Sequence, residues 1–233
     1  MKQELNAVVV NAGCVLFFSA PQQAVPKNDV LDSLLYVQLA ASKQHPKFAE
    51  FEKWNETRLA AALRFGWVLN ASEHVSEPLR AGAAARTAWS CMAEALTHSV
   101  PPEDLQRAEV LMRKVCSQRA GDTALRLLRS QTLQSGLNHA GKLQVNVVLQ
   151  LGFVDARRNL TLAQLNVATH QPLSSGFLFD VLEPQSIYGN VAVTVYTMQL
   201  LEKVYSRFRE SIDTALSSKR AGLIMSLGEH PDV

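Results

Sequence analysis

A segment around residues 170–180 contains the three residue types of an acyl-transfer triad. In such a triad a histidine removes the proton of a nucleophilic hydroxyl, and a carboxylate orients the histidine. The candidates for these roles are His170, Ser174, Ser175 and Asp180. A triad is recognised by its geometry, and polar residues are common in loops. These residues therefore predict a hydrolase site as one alternative among several.

A second group of titratable residues lies earlier in the chain. Glu73 and His74, beside Glu77, are a candidate general acid–base pair. Such a pair works only if both groups come within hydrogen-bonding reach of one substrate. The alternative is that polar residues at the boundary of an element face water. Geometry has to decide between the two interpretations.

The histidines and cysteines do not have the spacing of metal ligands. No two of the six histidines are three or four residues apart, and none lies near a cysteine at zinc-site spacing. Cys14, Cys91 and Cys116 are far apart, and their odd number argues against a disulfide framework. The chain also lacks phosphate-loop, dinucleotide-binding and nucleophile-elbow motifs. We therefore expect no metal and no cofactor, and a non-enzymatic function is favoured.

Residues 141–171 predict a long β-hairpin, with its strands within about 142–169. Its first strand is apolar at every second position, namely at Leu143, Val145, Val147, Leu149, Leu151 and Phe153. Successive side chains of a strand point to opposite faces. The residues between include Gln144, Asn146 and Gln150, so one face is mostly polar. This pattern is typical of an antiparallel sheet with one face in water.

The turn and the return strand complete the hairpin. Residues 155–159 (DARRN) supply turn-forming and charged residues. The return strand begins with apolar Leu160 and Leu162 but continues with Leu165 and Val167, which is a change of phase. Since a one-residue shift would turn the buried side chains outward, the pattern predicts a β-bulge near residues 163–164.

The elements around the hairpin predict an α+β fold. An N-terminal strand over 5–19 is followed by several helices, the second of which ends at Gly66 through a positive φ. Two further strands over 177–182 and 190–196 precede an amphipathic helix over 201–216. Strands and helices that are segregated along the chain favour an antiparallel sheet with a helical layer. The terminal helix is predicted to pack across the apolar face of the sheet.

The chain has no internal repeat and no Pro/Gly/Ser-rich linker, so one domain over residues 1–216 is expected. The alternative divides it into a helical part, 27–138, and a β-rich part, 139–216. Residues 217–233 lose the helical pattern and are predicted to form a C-terminal tail.

The charge balance argues against nucleic acid as a partner. The chain has 23 basic and 21 acidic side chains and a formal net charge of +2. The basic stretch over 113–129 has no aromatic residues on which bases could stack. No apolar run is long enough to span a bilayer as a helix. The N-terminus is predicted to form a strand and not a signal peptide, so a cytoplasmic location, or secretion without a classical signal peptide, is expected.

One segment resembles a group of small uncharacterised microbial proteins. These proteins pair an L-x-x-Q-L-A-A-x-K helix with a following tryptophan and a G-W-V turn. The matching residues are Leu35–Lys43, Trp54 and Gly66–Val68, within about residues 29–69. The resemblance implies a helical scaffold in this region. It implies no activity and no catalytic or binding residue.

Three functions agree with these features. The first is a protein–protein interaction or assembly subunit, for example of a bacterial toxin-like or virulence system, acting with a protein partner or by self-association. The residues expected to mediate it lie at the hairpin tip and in the tail, namely Asp155, Arg157, Arg158, Leu223, Ile224 and Met225. The second is a membrane-active protein that inserts the hairpin, whose strands approach the roughly 9–11 residues of a spanning β-strand. The third is the hydrolase around His170.

Overall fold

A long hairpin lies at the centre of the molecule, as the sequence predicts. The computed structural model describes residues 5–19, 24–80, 84–118, 122–138 and 140–227. His139, His230 and residues 228–233 of the predicted tail lie outside these ranges. The strands are β1 Leu5–Asn11, β2 Cys14–Ser19, β3 Trp67–Glu77, β4 Leu133–Leu137, β5 Leu143–Val154, β6 Asn159–Thr169, β7 Ile187–Leu200 and β8 Ile224–Ser226. The helices are α1 Ala24–Gln44, α2 Phe51–Arg64, α3 Ala88–Leu96, α4 Pro102–Gln118, α5 Thr123–Thr132, α6 Glu202–Tyr205, α7 Arg209–Leu216 and α8 Arg220–Leu223.

The helix and strand boundaries follow from local chemistry. Thr87 caps α3: its hydroxyl accepts a hydrogen bond from Ser90 N (3.0 Å), and Ser90 Oγ accepts one from Thr87 N (2.8 Å). Asp122 caps α5 by accepting from Ala124 N and Leu125 N. Gly66 turns the chain from α2 into β3 with a φ of +102°, a conformation that favours glycine, as predicted.

The strands form a mixed sheet, so the α+β class is confirmed but a purely antiparallel sheet is wrong. The order is β3-β7-β6-β5-β2-β1-β8, and β4 pairs with the first part of β5. The pair β2–β5 is parallel, with Cys14 opposite Gln150 and Phe18 opposite Val154. Parallel strands need a long crossover connection, which the helical region between β2 and β5 provides. That pairing has no local signal in the sequence.

Both faces of the sheet are covered, in contrast to the predicted wet face. On one face α3, α4 and α5 pack over a ladder of β-branched and leucine side chains on β5 and β6. On the other face α1, α2 and α7 pack over residues that include Leu160 and Leu162. Gln150, which contributed to the predicted polar face, is buried opposite Gln164, and its Nε2 donates a 2.7 Å hydrogen bond to Gln164 Oε1. A polar side chain is tolerated in the core when it has a hydrogen-bond partner there.

The two covered faces also explain the change of phase in β6. Leu160 and Leu162 point to the α1 side, whereas Ala163, Leu165 and Val167 point to the α3 side. The pairing of β5 with β6 is continuous from Val145–Thr169 to Val154–Leu160. The predicted bulge near residues 163–164 is therefore wrong. An irregularity lies further along, between Asn166 and Ala168, where β6 pairs with β7.

The C-terminal part differs from the predicted single amphipathic helix. It is divided into α6 and α7, and its buried residues Tyr205, Ile212 and Leu216 belong to the core on the α1 side. It therefore does not cover the apolar ladder of Val145–Leu151, which α3–α5 cover instead. Residues 177–182 form a turn with one bridge, Val181 to Thr87, and not a strand. Among the helices of the described ranges, none has the length and apolar character needed to cross a membrane.

Candidate functional site

The predicted triad residues lie in one loop, but their hydrogen bonds take different directions. Ser174 Oγ donates to Asp180 Oδ1 (2.7 Å), and Ser174 N donates to Asp180 Oδ2 (2.6 Å). The His170 ring donates from Nδ1 to the carbonyl of Leu143 (2.6 Å), while Ser175 is exposed. Within residues 140–227, no hydrogen bond joins His170 to Ser174, Ser175 or Asp180. The Ser174–Asp180 pair therefore closes the loop, and the imidazole is held apart from it.

The early acid–base candidates are separated by the sheet. In β3, Glu73 and Glu77 point to one face, on which Val195 and Val191 of β7 stand opposite them. His74 points to the other face, where its Nδ1 lies 2.9 Å from Thr194 Oγ1. Because neighbouring side chains in a strand alternate, Glu73 and His74 cannot address the same substrate from this strand.

The hairpin tip is used for internal contacts. Asp155 accepts hydrogen bonds from Arg157 N, Asn159 N and Asn159 Nδ2, which organise the turn. Arg158 has a φ of +63° and directs its guanidinium to Glu202 (2.5 Å) and Asp29 (3.5 Å). Arg157 is exposed. Of the three predicted tip residues, Arg157 is the one whose side chain faces solvent.

Part of the predicted tail belongs to the sheet. Residues Ile224–Ser226 form β8, which pairs antiparallel with β1. Leu223 and Ile224 pack against the core on the α1 side, and Met225 packs against the core on the α3 side. Leu227 N donates to Val8 O at 2.8 Å. Leu223, Ile224 and Met225 are thus partly buried at the edge beside β1.

Salt bridges hold the C-terminal segment against α1. Asp29 is buried and receives two 2.8 Å hydrogen bonds from Arg209, which also contacts Glu202. Arg220 makes the same two-bond contact with Asp32, also at 2.8 Å. Hydrogen bonds from Arg158 and Arg209 hold the pKa of Glu202 below its usual value. These paired charges have a structural role, since each carboxylate already has its cation.

A second polar cluster lies between α1, α2 and the sheet, with Arg58 buried and Lys47 half-buried. Arg58 is 1% exposed, and its Nη2 donates to Asn55 Oδ1 at 2.8 Å. Its guanidinium lies 5.3 Å from the centre of the Tyr196 ring. Lys47 Nζ donates to Gln131 O at 2.8 Å and lies 5.2 Å from the Trp54 ring centre. Aromatic rings attract cations in this arrangement, and no carboxylate of the described residues forms an ion pair with either side chain.

The pKa of Cys14 in this cluster does not favour nucleophilic catalysis by its thiolate. Burial raises the pKa of the Cys14 thiol to about 12, so the thiolate nucleophile is absent at neutral pH. Burial lowers the pKa of Lys47 to about 7. Gly13 completes the packing, because a Cβ there would lie 2.5 Å from Lys47 Nζ. The cluster is a tightly packed part of the core.

The longest exposed feature of the sheet is its edge strand β3. This strand has 11 residues and pairs on one side with β7. In the described parts of the chain, no strand lies on its other side. Residues 70–77 are all exposed, and Val75 is 50% exposed. An edge of this kind presents a row of free backbone N–H and C=O groups.

A cavity of about 920 Å³ lies beside this edge. Its floor consists of Val75 and three valines of β7, namely Val191, Val193 and Val195. One wall is α3 with Cys91 and Glu94, followed by His98, and residues 78–80, 84–86 and 181–185 line the remaining sides. An apolar floor with a few polar groups is typical of binding sites. The edge and the cavity together are the candidate functional site.

The polar groups of the cavity are suited to binding more than to catalysis. Arg86 forms an ion pair with Glu94 on the wall. Burial raises the pKa of the Cys91 thiol, and a hydrogen bond from Arg86 offsets part of that rise. Glu73 and Glu77 line the cavity, and neither has a salt bridge to a basic side chain of the described residues. The site therefore has an apolar floor and an acidic border along β3, while Arg80 and Arg86 also line the cavity.

The sequence identifies Glu73, His74 and Glu77 as acid–base candidates, but it does not predict the edge or the cavity. Trp67–Leu69 are apolar and indicate an extended segment, whereas residues 70–77 are mostly polar on both faces. Polar and charged side chains are typical of edge strands, and this pattern is the signal that could have identified β3. The cavity itself unites β3, α3, the 181–185 loop and β7, which are far apart in the chain.

No protein-family model and no curated protein sequence matches this chain. Among solved structures, one described as "Structure of the Evf virulence factor" is similar over 90% of this chain and 82% of that chain. The sequence identity is 9% and the TM-score is 0.40. A likeness at this level transfers neither residues nor function.

Proposed function

We propose that this protein binds an extended segment of a partner protein, which adds as a further strand to β3. The observation that carries the proposal is the exposed outer side of β3 over residues 70–77, beside which no strand of the described residues lies. Extended peptides bind to exposed sheet edges through main-chain hydrogen bonds, while pockets beside the edge select their side chains. The cavity next to β3 supplies such a pocket.

The other free edges of the described sheet are smaller. Strand β8, at the opposite end, has 3 residues, and β4 has 5. Strand β3 has 11 residues, and its exposed part contains Glu73, His74 and Glu77. Proteins discourage edge pairing by short strands or by charged side chains. A long edge whose charge is acidic therefore favours a partner of complementary charge.

A second copy of this chain fits the edge poorly. Antiparallel pairing of two β3 strands, with their sheets continuous, would place Glu73 and Glu77 of both copies on one face. Like charges on neighbouring strands destabilise pairing. The proposal is therefore a complex with a different protein. Identification of the bound protein will also test the proposal that it belongs to a toxin-like or virulence assembly.

The hairpin β5–β6 is less suited to membrane insertion in this fold. Both strands lie inside the sheet, and both of their faces contact helical layers. Insertion would require the sheet to separate and the helices on both faces to leave it. The edge strand can bind a partner without any such rearrangement.

Selection of short random peptides on the purified protein tests strand addition. Proline cannot donate a backbone hydrogen bond, and one of any two neighbouring residues in an added strand must donate to β3. We expect that replacing two neighbouring central residues of a selected peptide by proline abolishes binding. Selected peptides that tolerate proline at every position would contradict the proposal.

A further inference from the structure

We infer that the partner strand carries the pattern basic–x–apolar–x–basic on the side that faces the cavity. This inference rests on the strand addition proposed above and specifies the chemistry of the partner. It follows from the order of three side chains on β3, namely Glu73, Val75 and Glu77, and from the cavity that they border.

The register of the sheet shows which face these three side chains share. Glu73, Val75 and Glu77 stand opposite Val195, Val193 and Val191 of β7. Directly opposed residues of neighbouring strands point to the same face. A strand added outside β3 would therefore place every second side chain beside Glu73, Val75 and Glu77, above the same cavity. The intervening side chains would lie on the face of His74 and Thr194.

The charges determine the outer two positions of the pattern. Neither Glu73 nor Glu77 is in a salt bridge with a described lysine, arginine or histidine. Both are exposed, so a lysine or arginine on the added strand can reach either carboxylate. Opposite charges in cross-strand pairs stabilise the pairing, and like charges destabilise it. An added strand that has acidic side chains at these two positions, such as a second copy of β3, is therefore disfavoured.

The floor of the cavity determines the middle position. Val75 is 50% exposed and continues the apolar surface of Val191, Val193 and Val195. An apolar side chain opposite Val75 would cover this surface and remove it from water. The volume of about 920 Å³ exceeds that of any single side chain, so the stems of the two basic residues can enter it as well.

The chain itself does not offer this pattern in an accessible form. Two basic residues that flank an apolar residue at this spacing occur once in the sequence, at Lys203, Tyr205 and Arg207. Lys203 and Tyr205 lie in the short helix α6, and Tyr205 is buried in the core. The occupant is therefore a segment of another protein.

Fluorescence anisotropy with labelled peptides tests the inference. The basic peptide has Lys-Thr-Val-Thr-Lys at its centre. The matched acidic peptide has Glu-Thr-Val-Thr-Glu between the same flanking residues. A third peptide replaces the central residues of the basic one by proline. The protein variants are Glu73→Gln with Glu77→Gln, and Glu73→Lys with Glu77→Lys. Glu52→Gln with Glu56→Gln is the control, because it removes two exposed glutamates from α2.

We expect the unmodified protein to bind the basic peptide roughly tenfold more tightly than the acidic one, since two favourable cross-strand pairs replace two unfavourable ones. The preference should disappear in the Glu73/Glu77 glutamine variant, reverse in the lysine variant and persist in the α2 control. Salt should reduce it, because both carboxylates are exposed.

The outcomes separate the inference from the proposed function. Proline-sensitive binding without a preference for the basic peptide would overturn the inference and leave strand addition standing. A preference that persists in the Glu73/Glu77 glutamine variant would also overturn the inference, since the charges would then act elsewhere. If none of the peptides binds in a proline-sensitive manner, both the inference and the proposed function fail.

Discussion

Lys47 lies in an environment that makes the stability of the fold depend on pH. Its ammonium lies among Trp54, Phe48 and the carbonyl of Gln131, and desolvation lowers its pKa from 10.5 to about 7. Between these two pH values the unfolded chain keeps the proton that the folded chain has lost. The free energy of unfolding therefore increases with pH in this window and decreases as pH falls towards 7.

Replacement of Lys47 by methionine should remove this pH dependence. We expect the free energy of unfolding of the unmodified protein to rise by about 1 kcal/mol per pH unit between about pH 7 and 9. The Lys47→Met variant should show a flatter profile, measured by urea unfolding. The range stops at about pH 9 because Cys14, whose pKa burial raises from 9.0 to about 12, contributes in the opposite direction above it. Equal slopes for the two proteins would contradict the shift.

Gly152 permits close packing at the centre of the sheet. A Cβ at this position would lie 2.7 Å from Leu16 Cδ2 and 2.9 Å from Leu160 Cδ1, and both leucines are fully buried. We expect Gly152→Ala to lower the free energy of unfolding by about 1–3 kcal/mol, because overpacking forces neighbouring side chains to move. Chemical denaturation measures the change.

Gly136 provides the matched control for that substitution. It lies in β4, and a Cβ there would meet no atom within 4 Å. Gly136→Ala should change the free energy of unfolding by less than about 0.5 kcal/mol. A similar loss in both variants would show that the alanine itself, and not the contact with Leu16 and Leu160, is responsible.

At the scale of elements, buried Asp29 connects α1 to the C-terminal segment. It accepts both hydrogen bonds of Arg209, and Arg158 lies 3.5 Å away. We expect Asp29→Ala to cost about 2 kcal/mol, since charge-assisted pairs of this kind are the strong ones. Hydrogen exchange of residues 202–216 should become faster, which mass spectrometry can measure.

Asp213 is a suitable comparison for Asp29. Its side chain is 66% exposed and contacts Arg220, which keeps its two bonds to Asp32. Because exposed salt bridges contribute little, Asp213→Ala should cost less than about 1 kcal/mol and leave exchange in 202–216 unchanged. Equal effects at Asp29 and Asp213 would mean that burial of the carboxylate does not matter.

The elements that the sequence predicts well are those whose pattern is local. The hairpin is predicted by the alternating apolar residues of Leu143–Phe153. The end of α2 at Gly66 is predicted by the end of the helical pattern before it. The change of phase at Leu160–Leu165 led to the wrong prediction of a bulge, because alternation alone does not show that the second face is also covered. The polar strand β3 is difficult to predict for a similar reason, since an edge strand has little apolar pattern to detect.

At the scale of the molecule, the features that the sequence does not predict are those formed by contacts between distant segments. The parallel pair β2–β5 joins residues separated by the whole helical region, and β8 returns from the C-terminus to β1. The cavity is formed by segments between Glu73 and Val195. The spacing of residues within one segment cannot predict features that several distant segments form together. The four candidates around His170 share a loop, but their orientation depends on Leu143 and on the internal bonds of that loop.

The same view of the whole molecule explains why β3 is the expected binding edge. The interior strands have helices on both faces and neighbours on both sides, so their groups are already paired. Among the described strands β3 pairs with β7 alone, and an apolar cavity lies beside its acidic border. Binding there adds contacts without breaking any that the described fold contains.

Amide hydrogen exchange of residues 70–77, with and without the basic peptide, tests the central claim most directly. In an antiparallel edge strand every second amide points outward and exchanges with solvent. We predict that the outward amides of β3 exchange rapidly in the free protein and become protected when the peptide binds, while β4 and β8 do not change. Binding that leaves exchange in residues 70–77 unchanged, or that protects β4 or β8 instead, would contradict strand addition at β3.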